Sequence, residues 1–313
     1  MDNIPKLLVD TDTGTGKSLA LLCAAASGLA ELAGVTTVFG RAGAAEAAER
    51  MLRIIGLAGS AAPVAAGAER PLFRERPPAD PEEDAADFAF PESGRRLETL
   101  SGADLIVDLA NRLPGELTLV ALGPLTNIAL ALVKDSALGG KVKRLVVLGG
   151  ALKAPGDVTP VAERNMRRDP EAAFRVFHSG IPITMLGLDV SRQAFVSADG
   201  LKPALNAVTE AGTPAAEAIR RLLGELAARF EGGVRLAELL AVAEAAEPGL
   251  VGTEPHDVTV ETKGALSLGA TLTDLRIGAK RKINCEVGMT VSPERLEDRL
   301  ARWLAAAAKG GAR

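Results

Sequence analysis

An α/β fold, built on an open and mainly parallel sheet with helices on both faces, is what this chain predicts, and three observations predict it. Short apolar runs alternate with longer segments of helical period from residue 6 to residue 190. Glycine closes two of those helical segments, at Gly28 and Gly59. Asp10, Gly40, Gly123, Gly149 and Asp189 stand at the ends of apolar runs, and in such sheets ligands bind outside the carboxyl ends of the strands.

The elements follow in order. KLLVD (6–10) reads as a buried strand and SLALLCAAASG (18–28) as a helix. LAGVTTVFG (32–40), rich in β-branched residues, is the next strand. AAEAAERMLRIIGLAG (44–59) is an amphipathic helix, and APVAAG (62–67) a short strand. Three helix–strand alternations follow: helix 104–113 with strand 116–122, helix 126–135 with strand 143–150, and helix 170–180 with strand 181–190. Between residues 70 and 96 a proline-rich, charged loop breaks the pattern. Residues 197–248 are mainly helical, 257–274 read as a hairpin turning near Lys263-Gly264, and 292–308 form a terminal helix.

Length and composition narrow the function classes. The chain has 313 residues, 47% of them apolar, enough for a substantial core in one large domain over 1–313. A net charge of −4 offers no electrostatic case for nucleic acid. MDNIPK lacks the pattern of a secretory signal, and no run of about eighteen uncharged apolar residues suits a membrane span. Cys23 and Cys285 fit free thiols in a reduced, cytoplasmic setting better than a disulfide.

LLVDTDTGTGKSLALL (7–22) carries two motifs at once. Asp10 and Asp12, ending a strand, are carboxylates of the kind that hold a metal. Gly14 to Ser18 read GTGKS, the close of a phosphate loop between strand and helix. That loop needs a glycine where Thr11 stands, and Asp10 and Asp12 would repel a triphosphate. RLVVLGG (144–150) has no aspartate for magnesium, so a nucleotide triphosphatase is disfavoured.

Six stretches carry a resemblance: LLVDTDTG (7–14), AGVTTVFG (33–40), PVAAGAERPL (63–72), ALGPLTNIALAL (121–132), VVLGGALKAPGDVTPVAERNMRRDPEAA (146–173) and ITMLGLDVS (183–191). Together, and in this order, they resemble the inosine-uridine preferring nucleoside hydrolase family. The resemblance implies an open, mainly parallel α/β sheet with an added helical C-terminal part. It implies an N-ribosyl hydrolase acting on ribonucleosides or a related riboside. It also implies calcium, a hard cation that takes carboxylate and carbonyl oxygens, the ribose 2′- and 3′-hydroxyls and the attacking water. An aspartate then removes that water's proton.

Matched to the family, Asp12 is the catalytic base and a metal ligand, and Asp10 joins it as the aspartate that opens the motif. Thr126 is matched to a residue whose carbonyl binds calcium, and Glu163 and Asn165 to residues that grip the ribose 5′ side. Lys17, Arg41, Leu148 and Glu238 complete the expected substrate-binding set. If a metal binds, its ligands are expected to be Asp12, Thr126 and Glu238.

Several positions depart from the family. Its opening motif, Asp-x-Asp-x-Gly-x-Asp-Asp, here ends in Gly16-Lys17. In the family the first of that pair holds a ribose hydroxyl and the second is a main calcium ligand. A lysine has three donors and no acceptor, so it cannot bind calcium. Its ammonium is expected instead to pair with Asp10 and Asp12 in the metal's place. Arg41 stands where the family usually has asparagine, and with Lys17 it suits an anionic group. The loop 74–94 lacks the family's histidine, and the family's late His-Asp pair falls at Ala237-Glu238. Ala237 cannot donate a proton, whereas Glu238 can reach a metal or a hydroxyl. His256-Asp257 imitates that pair but starts a β-patterned segment, and His178 is expected to be an ordinary surface or core histidine. Asp169 is expected to cap the next helix or to serve the site, and Asp189 to be structural or functional.

Two functions follow. The first is a hydrolase with an altered calcium site. The alternative is a non-catalytic member that binds a riboside or phosphorylated ligand, or serves as an interaction subunit. Either way the expected partners are a small riboside and further copies of the chain, with no nucleic acid and no membrane.

Overall fold

The computed structural model describes residues 4–78, 90–276, 278–280 and 282–310. Residues 79–89 of the proline-rich loop therefore lie outside the described residues.

Strand β1 (Lys6–Thr11) is buried from its second residue onward. Its side chains alternate between two apolar layers, Leu7 and Val9 to one and Leu8 to the other, as the period of a strand requires. Helix α1 (Thr15–Ala26) begins three residues before the expected start, which puts Gly16 and Lys17 in its first turn. Then come β2 (Glu31–Thr37), α2 (Ala44–Gly56) and β3 (Val64–Ala66). Helix α3 (Gly102–Arg112) is capped by Ser101, whose Oγ accepts from Asp104 N. It leads to β4 (Leu117–Ala121), α4 (Thr126–Lys134), the single turn α5 (Leu138–Lys141) and β5 (Arg144–Leu148). Next are α6 (Arg164–Arg168), α7 (Pro170–Phe177), β6 (Ile183–Leu186) and α8 (Leu188–Ser191).

The C-terminal part comprises β7 (Phe195–Ser197), α9 (Ala198–Ala211), α10 (Pro214–Ala227), β8 (Gly233–Arg235) and α11 (Ala237–Ala246). It ends with β9 (Val251–His256), β10 (Thr259–Val260), β11 (Thr271–Leu272), β12 (Cys285–Val291) and α12 (Pro293–Ala308).

Eight strands form the main sheet in the order β3-β2-β1-β4-β5-β6-β12-β9. All pairings are parallel except β12 with β9 at one edge. Leu19, Leu22 and Trp303 belong to the core on one face, where α1 packs on α2, α10, α11 and α12. Ile106, Ile128 and Phe177 belong to the core on the other, with α3, α4 and α7. Both cysteines are buried and free. Among the described residues no helix is long and apolar enough to cross a membrane.

The structure differs from the sequence reading, or adds to it, at three points. Residues 181–190 do not form one strand: β6 stops at Leu186, and the chain turns at Gly187 into α8. A Cβ on Gly187 would lie 2.7 Å from the Gly150 carbonyl oxygen, so only glycine permits this turn. The 257–274 hairpin has only two-residue arms, and Glu261 bridges its loop by accepting from the N–H groups of Lys263 and Gly264. Strands β9 and β12 were not read from the sequence, because four of the six residues of β9 are exposed and no apolar run marks it.

Candidate functional site

Asp12 lies just beyond β1, at the carboxyl edge of the sheet, and is fully buried. It fits there because its neighbours are small. A Cβ on Gly40 would sit 2.0 Å from Asp12 Oδ2, and one on Gly123 would sit 3.3 Å from Asp12 N. Glycines at the ends of β2 and β4 thus leave the room that the carboxylate fills.

Two cations hold that carboxylate. Lys17 Nζ, from the first turn of α1, donates to Oδ1. Arg168 Nη1, from the end of α6, donates to Oδ2 at 3.0 Å. The Lys17 side chain is 13% exposed and Arg168 7%, so both charges are drawn largely out of water to reach Asp12. Lys17 does not reach Asp10 by any hydrogen bond, contrary to the expected shared pairing. Asp10 Oδ1 instead accepts from Thr36 Oγ1 at 2.6 Å and Asn127 Nδ2 at 2.7 Å, while its buried Oδ2 has no partner. Burial pushes Asp10 up to about 7, the two hydrogen bonds oppose that shift, and the charge of Asp12 adds to it. Asn127 also donates to Thr37 O and accepts from Ala68 N, which ties the ends of β1, β2 and β3 together.

At the carboxyl edge of the sheet opens a cavity of about 380 Å3, the size of a small-molecule site. Asp10 and Asp12, the expected catalytic pair, are fully buried and not on its wall, and Lys17 is the lining side chain that bonds Asp12. Lys17, Leu148, Glu163, Asn165 and Glu238 all line it, so five of the six expected substrate contacts meet in one place. The sixth, Arg41, is exposed on the loop after β2 and is not on the cavity wall. Glu163 caps α6, its Oε2 accepting from the N–H groups of Gly150, Asn165 and Met166. Burial, then the nearby Asp157, push Glu163 up to about 7 against those three hydrogen bonds. Asn165 Nδ2 donates to Leu148 O at 2.9 Å and to Leu122 O at 3.3 Å.

Glu238 occupies an informative place. A Cβ built on Gly16 would lie 2.5 Å from Glu238 Oε2. The carboxylate from the start of α11 therefore fills the space that a side chain at position 16 would need.

Other expected residues lie elsewhere. Thr126 is not on the cavity wall: it opens α4, so its carbonyl joins the helix ladder, and its Oγ1 donates to Asp169. From the neighbouring loop it is Leu122 that reaches the wall. Asp169 caps α7 through Ala172 N and also accepts from Leu72 N. Asp189 gathers the N–H groups of Leu152, Lys153 and Ala154, a structural task that fixes the loop after β5. His256 pairs with Glu254 on edge strand β9, and His178 caps α7 beside Phe174; neither lines the cavity.

Sequence reading missed Arg168, Arg229 and Arg235. The only available signal for Arg168 was its place in ERNMRRDP, between matched residues. Arg229 and Arg235 line the cavity near Ala237, with Arg229 bonded to Thr15 Oγ1 and Arg235 stacked over Phe230 at 4.7 Å.

A calcium ion takes about six to eight oxygen ligands, with carboxylates prominent among them. Here Asp12 gives both oxygens to fixed cations, position 16 offers no side chain, and position 17 brings a positive charge. No group of three His, Cys, Asp or Glu side chains suited to a metal occurs among the described residues. These side chains do not fit a calcium ion.

The model of the family described as inosine-uridine preferring nucleoside hydrolase matches residues 7–298. The chain is 32% identical over 313 residues to the non-specific ribonucleoside hydrolase RihC of Klebsiella pneumoniae subsp. pneumoniae, covering 96% of each chain. It is 39% identical over 201 residues to uridine nucleosidase 1 of Arabidopsis thaliana, a match that spans 63% of this chain and only 60% of that one. Among solved structures, a purine-preferring ribonucleoside hydrolase from Gardnerella vaginalis matches with a TM-score of 0.84 and 31% identity, over 97% of this chain and 99% of that one.

Proposed function

This chain belongs to the inosine-uridine preferring nucleoside hydrolase family, and we propose that it hydrolyses the N-glycosidic bond of a ribonucleoside or related riboside. The observation that carries this reading is the cavity at the sheet's carboxyl edge, where Lys17, Glu163, Asn165 and Glu238 meet and where Lys17 is bonded to buried Asp12.

Cleavage of a ribosyl bond passes through an oxocarbenium-like transition state, so the ribose becomes positive and the base negative. By its match to the family Asp12 takes the proton of the attacking water, which has to reach it past the Lys17 ammonium, because Asp12 is not on the cavity wall. The Lys17 ammonium has donors left beyond its bond to Asp12, and these hold the water or a ribose hydroxyl against the carboxylate. Glu238, whose carboxylate stands beside Gly16, accepts from a ribose hydroxyl and faces the developing positive charge. Glu163 and Asn165 hold the 5′ side of the sugar. Ala237 provides no acid for the leaving base. The guanidinium groups of Arg229 and Arg235 stabilise its negative charge instead.

This division of labour predicts a strong dependence on the leaving group. The test compares ribose release from inosine and uridine with hydrolysis of 4-nitrophenyl riboside, whose leaving group needs no proton. Hydrolysis of all three, with the nitrophenyl riboside at least tenfold faster, is expected. No release from any of them would remove the hydrolase reading. We place the protein in the cytoplasm, supported by two free buried thiols, and expect it to self-associate.

A further inference from the structure

We propose that Lys17 and Arg168 are the built-in counter-cations of Asp12, and that they keep calcium out of the place where the family's chemistry puts it. The proposal rests on the hydrolase reading for its chemistry but not for its test.

Charge bookkeeping within the pocket carries the argument. A divalent ion beside Asp12 would face two positive groups already bound to both carboxylate oxygens. Moving either group breaks a largely buried ion pair. Lys17 sits in the first turn of α1, its backbone fixed by the helix, and Arg168 is buried at the end of α6. Displacing either would take one of two counter-charges from a fully buried carboxylate. The remaining carboxylates do not replace the lost ligand. Asp10 is held by Thr36 and Asn127 on the sheet side of Asp12. The Glu238 carboxylate instead fills the space beside Gly16. The substitutions at 16 and 17 therefore belong together: glycine admits the Glu238 carboxylate, and lysine supplies the positive charge.

The test uses the full chain, stripped with a chelator, and calcium chloride as the probe. Isothermal titration and the melting temperature are followed together. The expected result is no saturable heat and no change in Tm at millimolar calcium. One-site binding, or a Tm that rises with calcium, would overturn the proposal. A hundredfold excess over the dissociation constant would give a rise of about 4 °C, so the two results are well separated. Lys17→Asp removes the ammonium and adds a carboxylate, and its Tm is expected to rise with calcium. A folded chain carrying both Lys17→Asp and Arg168→Ala that still ignores calcium would overturn the claim that these two cations exclude the ion. If that variant does not fold, the wild-type titration decides alone. Failure of the hydrolase reading would appear differently, as no ribose release with or without the chelator.

Discussion

Replacing Lys17 by methionine removes one of the two cations on a fully buried carboxylate while keeping the length of the side chain. Taking away one partner of a buried ion pair costs about 3–5 kcal/mol when the survivor is left uncompensated. Asp12 keeps Arg168 at 3.0 Å on its other oxygen, and the Lys17 side chain is 13% exposed, so the expected loss is smaller, about 2 kcal/mol. At about 2.1 cal/mol/K per residue, the 313-residue chain has an unfolding entropy of about 0.66 kcal/mol/K, so Tm should fall by about 3 °C. Calorimetry of wild type, Lys17→Met, Asp12→Asn and the double variant closes the cycle. The two changes should be non-additive by about 1 kcal/mol or more, because the Lys17–Asp12 bond can be lost only once. Strict additivity, or an unchanged Tm in Lys17→Met, would refute the claim that this pair holds the pocket together.

Three further outcomes are expected. Gly16→Ala places a Cβ 2.5 Å from Glu238 Oε2 and should force that carboxylate aside, raising KM for the riboside severalfold; Glu238→Ala in the same chain should relieve the strain in thermal melts. Asp189→Ala leaves the N–H groups of Leu152, Lys153 and Ala154 without their acceptor and should cost about 2–3 kcal/mol in urea unfolding. Glu163 is raised from 4.5 to about 7 in the folded chain, so between those values the unfolded chain has lost a proton that the folded chain still holds. Stability should therefore fall as pH rises through that window, and Glu163→Gln should flatten this part of the profile when urea midpoints are measured at pH 5 and pH 7.5.

Much of the sheet was legible because its central strands are apolar on both faces. Val9 and Val120 need no partner to look like strand residues, and the glycine or aspartate after each run marked the carboxyl edge where the cavity lies. The edge strand β9 was illegible for the opposite reason: it is mostly exposed and carries no apolar period. In the site, matched residues such as Glu163 and Asn165 could be placed by their local motif. Thr126, also in a matched stretch, stands at the start of α4 with its Oγ1 on Asp169. Arg168 was missed because a buried arginine looks the same in sequence as the half-buried Arg164 and Arg167 beside it. Its meaning comes from Asp12, 156 residues away along the chain. The filling of the Gly16 gap by Glu238 is likewise a fact of three-dimensional volume, and spacing alone does not reveal it.

The most direct test of the account is kcat/KM for ribose release from inosine and uridine, measured for the wild type and for Asp12→Asn. The account predicts release by the wild type and a loss of at least about a hundredfold in the variant, the scale of a missing general base. Equal rates in the two proteins, or no ribose from the wild type with either nucleoside, would contradict it.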